Sequence, residues 1–131
     1  MKPEELRYAK THEWIHLPPG DQVAVVGLSK FAVEALTDLV HIELPEVGRE
    51  VTAGEPLGEV ESVKAVSDLY SPVDGRIVEV NEALVNSLDL LGKDPFGDGW
   101  LVKIEVAAPS ALDTLLDYAA YQKQVAEESE E

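Results

Sequence analysis

Residues 60–72 read VESVKAVSDLYSP and place a single lysine, Lys64, between two apolar flanks. Val63 comes directly before the lysine, and Val66 follows two positions after it. β-Branched residues favour strands, because their side chains pack well on a pleated surface. No other basic residue occurs within residues 50–75. The stretch therefore predicts two strands with an isolated amine near the turn between them.

The same lysine lies at the centre of an internal repeat. Six residues recur 27 positions later: Pro45, Gly48, Arg49, Val51, Glu55 and Leu57 match Pro72, Gly75, Arg76, Val78, Glu82 and Leu84. Chance or shared turn chemistry is the alternative, but six identities at one offset favour duplication. Each copy predicts a turn, a strand, a turn and the start of a strand. Two such copies can bury their apolar faces against each other as a small sandwich with pseudo-twofold symmetry. The connector, residues 58–71, has its midpoint between Lys64 and Ala65, so Lys64 is expected near a hairpin tip.

Composition limits the classes of function. The chain has 131 residues, 45% of them hydrophobic, which fits one packed domain. Ten basic and 26 acidic residues give a net charge of −16, which repels phosphate backbones and makes nucleic acid an unsuitable partner. Such a surface would steer the protein toward basic patches on other proteins, although plain solubility is an equal explanation. Cysteine is absent, so any redox sulfur must come from a cofactor.

The ends of the chain predict the domain limits and the compartment. Residues 1–10 are charged and contain no apolar signal region, and no apolar run is long enough to span a membrane. We therefore expect a soluble, cytoplasmic protein that does not bind membranes. Residues 1–126 are predicted to form the single domain, and residues 127–131 an acidic, flexible tail.

Two segments favour helices. Ser29 is a suitable N-cap for a short helix over residues 30–36. Farther along, Ser110 and Asp113 have the spacing of a capping box, which predicts that the C-terminal helix begins there. Apolar residues then recur near the helical period at Leu112, Leu115, Leu116, Ala119 and Val125.

Nothing else in the sequence predicts a catalytic or metal site. The histidines His12, His16 and His41 lack the spacing of metal ligands. The serines do not form a nucleophile elbow, and the glycines do not form a phosphate loop. A protein without its own active site is expected.

Four segments, in order, resemble the glycine cleavage system H protein family. They are YAKTHEW at 8–14, LPEVG at 44–48, the lysine stretch at 60–72 and DPFGDGW at 94–100. The resemblance covers nearly the whole chain. It implies a mainly β fold, the barrel-sandwich hybrid of lipoyl and biotinyl carriers, with a short helix near 29–36 and a C-terminal helix.

The resemblance also assigns residues. It implies that lipoic acid is attached to Lys64 as an amide, and that Glu13 and Asp68 belong to a cleft that receives the arm. Residues expected to be recognised by the attaching enzyme surround the lysine: Glu61, Ser62, Val63 and Ala65.

The family's role is that of a non-catalytic carrier within a multienzyme system. It implies that the lipoyl arm shuttles an aminomethyl group from glycine decarboxylase (P protein) to the aminomethyltransferase (T protein). Dihydrolipoyl dehydrogenase (L protein) then reoxidises the arm, and lipoate-attaching enzymes install it. The chemistry belongs to the cofactors and partner enzymes.

Departures from the family pattern leave alternatives open. Ala35 stands where many H proteins have a histidine, and Thr37 stands where a glycine is common. A related lipoyl carrier, in lipoyl relay or sulfur metabolism, is the first alternative. A biotinyl carrier would have methionines beside its lysine, whereas Val63 and Ala65 flank Lys64. The third alternative is an unmodified acidic binding module.

Overall fold

Two antiparallel sheets hold most of the chain in the computed structural model, which describes residues 2–36 and 38–129. The strands within these ranges are β1 (Arg7–Tyr8), β2 (Glu13–His16), β3 (Val23–Leu28), β4 (Leu39–Glu43), β5 (Glu50–Val51), β6 (Pro56–Ser62), β7 (Val66–Tyr70), β8 (Gly75–Val80) and β9 (Val102–Val106). The helices are α1 (Lys30–Leu36), α2 (Ala83–Asn86), α3 (Leu90–Lys93) and α4 (Tyr118–Ser129), with 3₁₀ segments at Pro3–Glu5 and Pro109–Thr114. The larger sheet has the order β1-β2-β3-β9-β8-β5, and the smaller has the order β4-β6-β7. This arrangement confirms the predicted mainly β fold of the barrel-sandwich type.

The core lies between the sheets, where alternate residues of the strands point inward. Buried side chains of the larger sheet include Ala24, Val26, Leu28, Val102, Ile104 and Val106, and those of the smaller sheet include Ile42, Leu57, Val60 and Leu69. A second cluster packs α4 against the N-terminal strands; its buried members are Leu6, Tyr8, Trp14 and Tyr121. No helix within the described ranges is long and apolar enough to cross a bilayer.

The two copies of the repeat meet directly. Strand β5 of the first copy pairs antiparallel with β8 of the second, with Glu50 opposite Arg76 and Val51 opposite Gly75. The prediction for the end of the second copy is wrong. Leu57 lies in strand β6, but its counterpart Leu84 lies in α2, although both are buried.

The chain turns early in the second copy because of a buried asparagine. The side-chain amide of Asn81 donates to the carbonyls of Asp98 and Trp100, at 2.9 and 2.8 Å. These bonds hold the chain against the loop before β9, where the first copy instead continues into a long strand. Leu84 N then donates to the Asn81 carbonyl, which closes the turn that leads into α2.

Helix α1 confirms the prediction for residues 30–36. The Ser29 hydroxyl accepts a hydrogen bond from the backbone N–H of Ala32 at 3.3 Å, as an N-cap does. Thr37, the second departure from the family pattern, lies outside the described residues.

The predicted start of the C-terminal helix is wrong. Residues Pro109–Thr114 form a 3₁₀ segment without a side-chain cap, and α4 begins at Tyr118. Leu116 exchanges backbone hydrogen bonds with Tyr8, at 2.8 and 2.9 Å, so the backbone there must be extended. The helix begins only after this bridge, where Asp117 accepts a hydrogen bond from the N–H of Ala120 at 2.8 Å.

The acidic end is partly helical. Helix α4 continues to Ser129, so Glu127 and Glu128 are helical. The Glu128 carboxylate accepts a hydrogen bond from the side-chain amide of Gln124 at 3.0 Å, which favours the last helical turn. Glu130 and Glu131 lie outside the described residues. The single domain over residues 1–126 and the flexibility of residues 127–131 stay predictions.

Candidate functional site

Lys64 lies at the tip of the β6–β7 hairpin. The strands pair with Glu59 opposite Asp68 and Glu61 opposite Val66, and residues 63–65 make the turn. Lys64 is exposed to solvent. The flanking valines favour strands β6 and β7, as the sequence predicts, and the hairpin presents the amine away from the core.

The turn is held by hydrogen bonds on both sides of the lysine. Ser62 N donates to the Ala65 carbonyl at 2.8 Å, and Val63 N donates to the carbonyl of Asp38 at 3.0 Å. The Ser62 hydroxyl accepts from the N–H groups of Lys64, at 3.3 Å, and Ala65, at 3.2 Å. It also lies 3.2 Å from the Ala65 carbonyl, to which it can donate. The backbone of the turn therefore has a defined conformation.

The amino group of Lys64 makes no ion pair with any residue that the structure describes. Other basic side chains do have acidic partners: Lys30 with Glu34, Arg49 with Glu55, Arg76 with Glu105, Lys93 with Asp89 and Lys103 with Glu79. An amide on Lys64 would remove a positive charge without breaking any of these pairs. Its exposed amine fits covalent attachment of an acyl group.

The four residues predicted for recognition differ in exposure. The side chains of Glu61, Val63 and Ala65 are exposed, and Val63 retains 63% of its accessible surface. Ser62, in contrast, is only 5% exposed. An approaching enzyme can contact the first three side chains, whereas Ser62 faces the turn.

A cleft of about 410 Å³ lies beside the hairpin and brings together both acidic residues predicted for an arm site. Glu13 and Asp68 line it, and Phe31 and Ala35 of α1 form an apolar wall. Ala35, the departure from the family pattern, therefore faces the cleft itself. A space with carboxylates and an apolar wall fits a slender chain that ends in a cationic group.

Glu13 is the buried acid among the described residues that line the cleft. It is 1% exposed, and its carboxylate accepts hydrogen bonds from the Thr11 hydroxyl and from the backbone N–H of Tyr70, the latter at 3.2 Å. Burial raises the pKa of Glu13 to about 7, although both hydrogen bonds oppose the shift. The carboxyl therefore changes charge near neutral pH.

Asp68 belongs to a row of carboxylates across the smaller sheet. It lies opposite Glu59, which in turn lies opposite Glu43. Partial desolvation and the neighbouring acids, Glu43 first, raise the pKa of Glu59 above its usual range. Like charges directly opposite one another destabilise a sheet, so these three carboxylates disfavour the strand pairing at this position.

Helix α4 adds a wall to the cleft that no sequence pattern predicts. Glu128 lines the cleft, and its carboxylate lies 3.2 Å from Nε2 of His12. His12 Nδ1 lies 2.8 Å from the Tyr121 hydroxyl, which is 2.5 Å from the Ser29 hydroxyl. These partners are about a hundred positions apart, and no local motif connects them.

Comparison with known proteins identifies close relatives. The family model described as glycine cleavage H-protein matches residues 6–128. The glycine cleavage system H protein of Rhodopirellula baltica is 54% identical over 127 residues, covering 95% of this chain and 96% of that protein. The one from Carboxydothermus hydrogenoformans is 46% identical over 128 residues, covering 98% and 97%. The crystal structure of a glycine cleavage system H protein from Mycobacterium marinum aligns with a TM-score of 0.85 at 46% identity, covering 94% of this chain and 98% of that chain.

Proposed function

Because the chain belongs to the glycine cleavage H-protein family, we propose that it is the lipoyl carrier of glycine cleavage, with the lipoyl group on Lys64. The observation that carries this proposal is the position of Lys64 at the tip of a hairpin with a defined turn, where its exposed amine forms no ion pair with a described residue. A reactive group on rigid strands is presented to partners in a reproducible position.

The position of Lys64 in the fold distinguishes it from the other lysines. Acylation of Lys93 or Lys30 would break an ion pair, although exposed pairs contribute little to stability. Lys64 has no such partner among the described residues, but neither do Lys2, Lys10 and Lys123. Of these four lysines, only Lys64 lies in the β6–β7 hairpin.

When attached, the lipoyl group supplies a disulfide that takes up the aminomethyl group of glycine and becomes a dithiol once that group is passed on. The chain's own residues bind and shelter the arm. The carboxylates of Glu13 and Asp68 would hold an ammonium group by charge-assisted hydrogen bonds. Phe31 and Ala35 would limit the access of water from the side of α1.

The partners follow from this role. We propose that the chain interacts with the P, T and L proteins of the glycine cleavage system and with lipoate-attaching enzymes. A net charge of −16 supports encounter with basic surfaces on these proteins. The chain contributes attachment, orientation and recognition, and the partner enzymes contribute the catalysis. The cytoplasmic location expected from the sequence stays a prediction.

The alternative of another lipoyl pathway is not favoured. Relatives that span nearly the whole chain bear the name of the glycine cleavage system. Ala35, which departs from the family pattern, belongs to one wall of the cleft, whereas the lysine hairpin and Glu13 match the family segments quoted above. The same relatives disfavour an unmodified binding module.

Reconstitution with glycine decarboxylase tests the proposal. The lipoylated chain is mixed with the decarboxylase and glycine, and release of carbon dioxide is measured. We expect release that rises with the concentration of lipoylated chain and stays at background with the unmodified chain. The H protein native to that decarboxylase is the positive control. If it supports release while the lipoylated chain does not, the carrier belongs to another pathway.

A further inference from the structure

All hydrogen-bonding positions of the Ser62 hydroxyl are used by backbone groups of the lysine turn. A serine hydroxyl has one donor and two acceptor positions. Here the acceptors receive the N–H groups of Lys64 and Ala65, and the donor faces the Ala65 carbonyl at 3.2 Å. Since the residue is only 5% exposed, an approaching enzyme has almost no access to it.

We propose that Ser62 is a positioning residue for lipoyl attachment, which acts by fixing the backbone of the turn and not by contact with the attaching enzyme. This inference rests on the proposed function of Lys64. The sequence predicts that the attaching enzyme contacts Ser62 itself. We infer instead that Ser62 sets the conformation of the turn that the enzyme recognises. Glu61, Val63 and Ala65 keep side chains that an enzyme can contact.

The attachment reaction needs a defined position of the amine. The attaching enzyme first activates the carboxylate of lipoate with a nucleoside triphosphate, which gives a mixed anhydride with the nucleotide phosphate. The Lys64 nitrogen attacks the carbonyl carbon of this anhydride. The new C–N bond forms, the nucleotide leaves with the electron pair of the broken C–O bond, and the nitrogen loses a proton. Holding the two reactants in the correct geometry lowers the entropic part of the barrier.

Besides the backbone bond from Ser62 N to the Ala65 carbonyl, two anchors provide this geometry. One is the Ser62 hydroxyl, which accepts hydrogen bonds from the N–H groups of Lys64 and Ala65. The other is the Asp38 carbonyl, which accepts from Val63 N at 3.0 Å and joins the turn to the segment before β4. Without the hydroxyl, the N–H groups of Lys64 and Ala65 would be released to solvent, and the lysine would sample more orientations.

A purely structural role is the competing explanation, and the chain contains a matched control. Ser71, just after β7, is 1% exposed, and its hydroxyl donates to the Val73 carbonyl at 2.6 Å. Ser71→Ala therefore also removes a buried serine hydroxyl that is bonded to backbone, but outside the lysine turn.

The test compares Ser62→Ala, Ser62→Thr and Ser71→Ala with the parent chain. Lipoate, a nucleoside triphosphate and a lipoate ligase serve as the probe, and kcat/KM for attachment to the unmodified chain is measured together with hydrogen exchange of the Lys64 and Ala65 amides. We expect Ser62→Ala to lower kcat/KM by about fivefold to thirtyfold and to speed exchange of these amides. Ser62→Thr should recover most of the rate because it restores the hydroxyl. Ser71→Ala should match the parent in attachment.

Two results would overturn the inference. Attachment to Ser62→Ala at the parent rate, with faster amide exchange, would mean that the order of the turn does not matter. An equal loss in Ser71→Ala and Ser62→Ala would mean that general stability controls the rate. An unmodified parent would contradict the proposed function instead, so the two failures are distinguishable in one assay.

Discussion

The buried carboxylate of Glu13 accepts a hydrogen bond from the backbone N–H of Tyr70 at 3.2 Å, which links the two sheets of the sandwich. Glu13 belongs to β2 of the larger sheet, and Tyr70 ends β7, the edge strand of the smaller sheet that leads away from Lys64. The same carboxylate lines the cleft beside the hairpin. Glu13 therefore has a position from which it can affect both the fold and the arm.

The first prediction concerns protection of the loaded arm. Glu13→Gln should speed loss of the aminomethyl group from isolated, loaded protein by roughly tenfold or more, because it removes a charge-assisted hydrogen bond to an ammonium group. The amide oxygen can still accept from Tyr70 N, so the fold should survive. Release is followed by the mass of the intact protein over time.

Glu59→Gln is the matched control for that experiment, since Glu59 belongs to the neighbouring row of acids and does not line the cleft. It should release at the parent rate, and lipoylation of both variants should be normal. Equal release from Glu13→Gln and the parent would show that Glu13 does not guard the arm. Loss of lipoylation as well would indicate damage to the fold.

The second prediction is a pH dependence of stability. The pKa of Glu13 is about 7 in the folded protein, above its ordinary value of 4.5. The folded state therefore binds the proton more tightly than the unfolded state, and stability falls as pH rises through this window. Between pH 4.5 and 7, the parent should lose up to about 3 kcal/mol relative to Glu13→Gln, which cannot titrate. Urea unfolding of both proteins across the range measures the difference, and parallel curves would contradict it.

The third prediction concerns the contact between α4 and the cleft. Tyr121→Phe removes the hydroxyl that lies 2.5 Å from the buried Ser29 hydroxyl and 2.8 Å from His12 Nδ1. Leaving the buried Ser29 hydroxyl and the half-buried His12 ring without that partner should lower the free energy of unfolding by about 1–3 kcal/mol. Tyr118→Phe, in the same helix but outside these bonds, is the control. Equal urea midpoints for the two variants would contradict the role of Tyr121.

The fourth prediction is a salt dependence of partner encounter. The net charge of −16 should accelerate association with glycine decarboxylase at low ionic strength, and screening should slow it as salt rises. Removal of Glu130 and Glu131 should change the slope only slightly, because most of the 26 acids remain. Stopped-flow association rates over an ionic-strength series give the slope. A flat response would mean that the acidity serves solubility alone.

The lysine hairpin could be predicted from sequence because its signals are local. The valines around Lys64 and the repeat on both sides of it already favour two strands and a turn. Helix α1 could also be predicted from the sequence, since its N-cap, Ser29, directly precedes it. The pairing of Glu13 with Asp68 in one cleft came from the family resemblance, because 55 positions separate them and no local pattern joins them.

The two wrong predictions fail because contacts between residues far apart in the sequence decide the structure there. The capping pattern at Ser110 was a valid local signal, but the bridge between Leu116 and Tyr8 requires extended backbone where the helix was predicted. Likewise, Leu84 matches Leu57 in sequence but lies in α2. The side-chain amide of Asn81, just before that helix, donates to the carbonyls of Asp98 and Trp100 and holds the chain against the loop before β9. In both cases a contact between distant parts of the chain overrides local preference.

Every role proposed for this chain depends on attachment of the lipoyl group to Lys64, and peptide mass mapping of protein from its native host measures that attachment. We expect one lipoyl group per chain, located on the peptide that contains Lys64, and none on Lys64→Arg, which keeps the charge but offers no acylable amine. Lys93→Arg, a matched change at an ion-paired lysine, should be modified like the parent. A lipoyl group found on Lys30 or Lys93, or one that persists in Lys64→Arg, would show that Lys64 is not the attachment site.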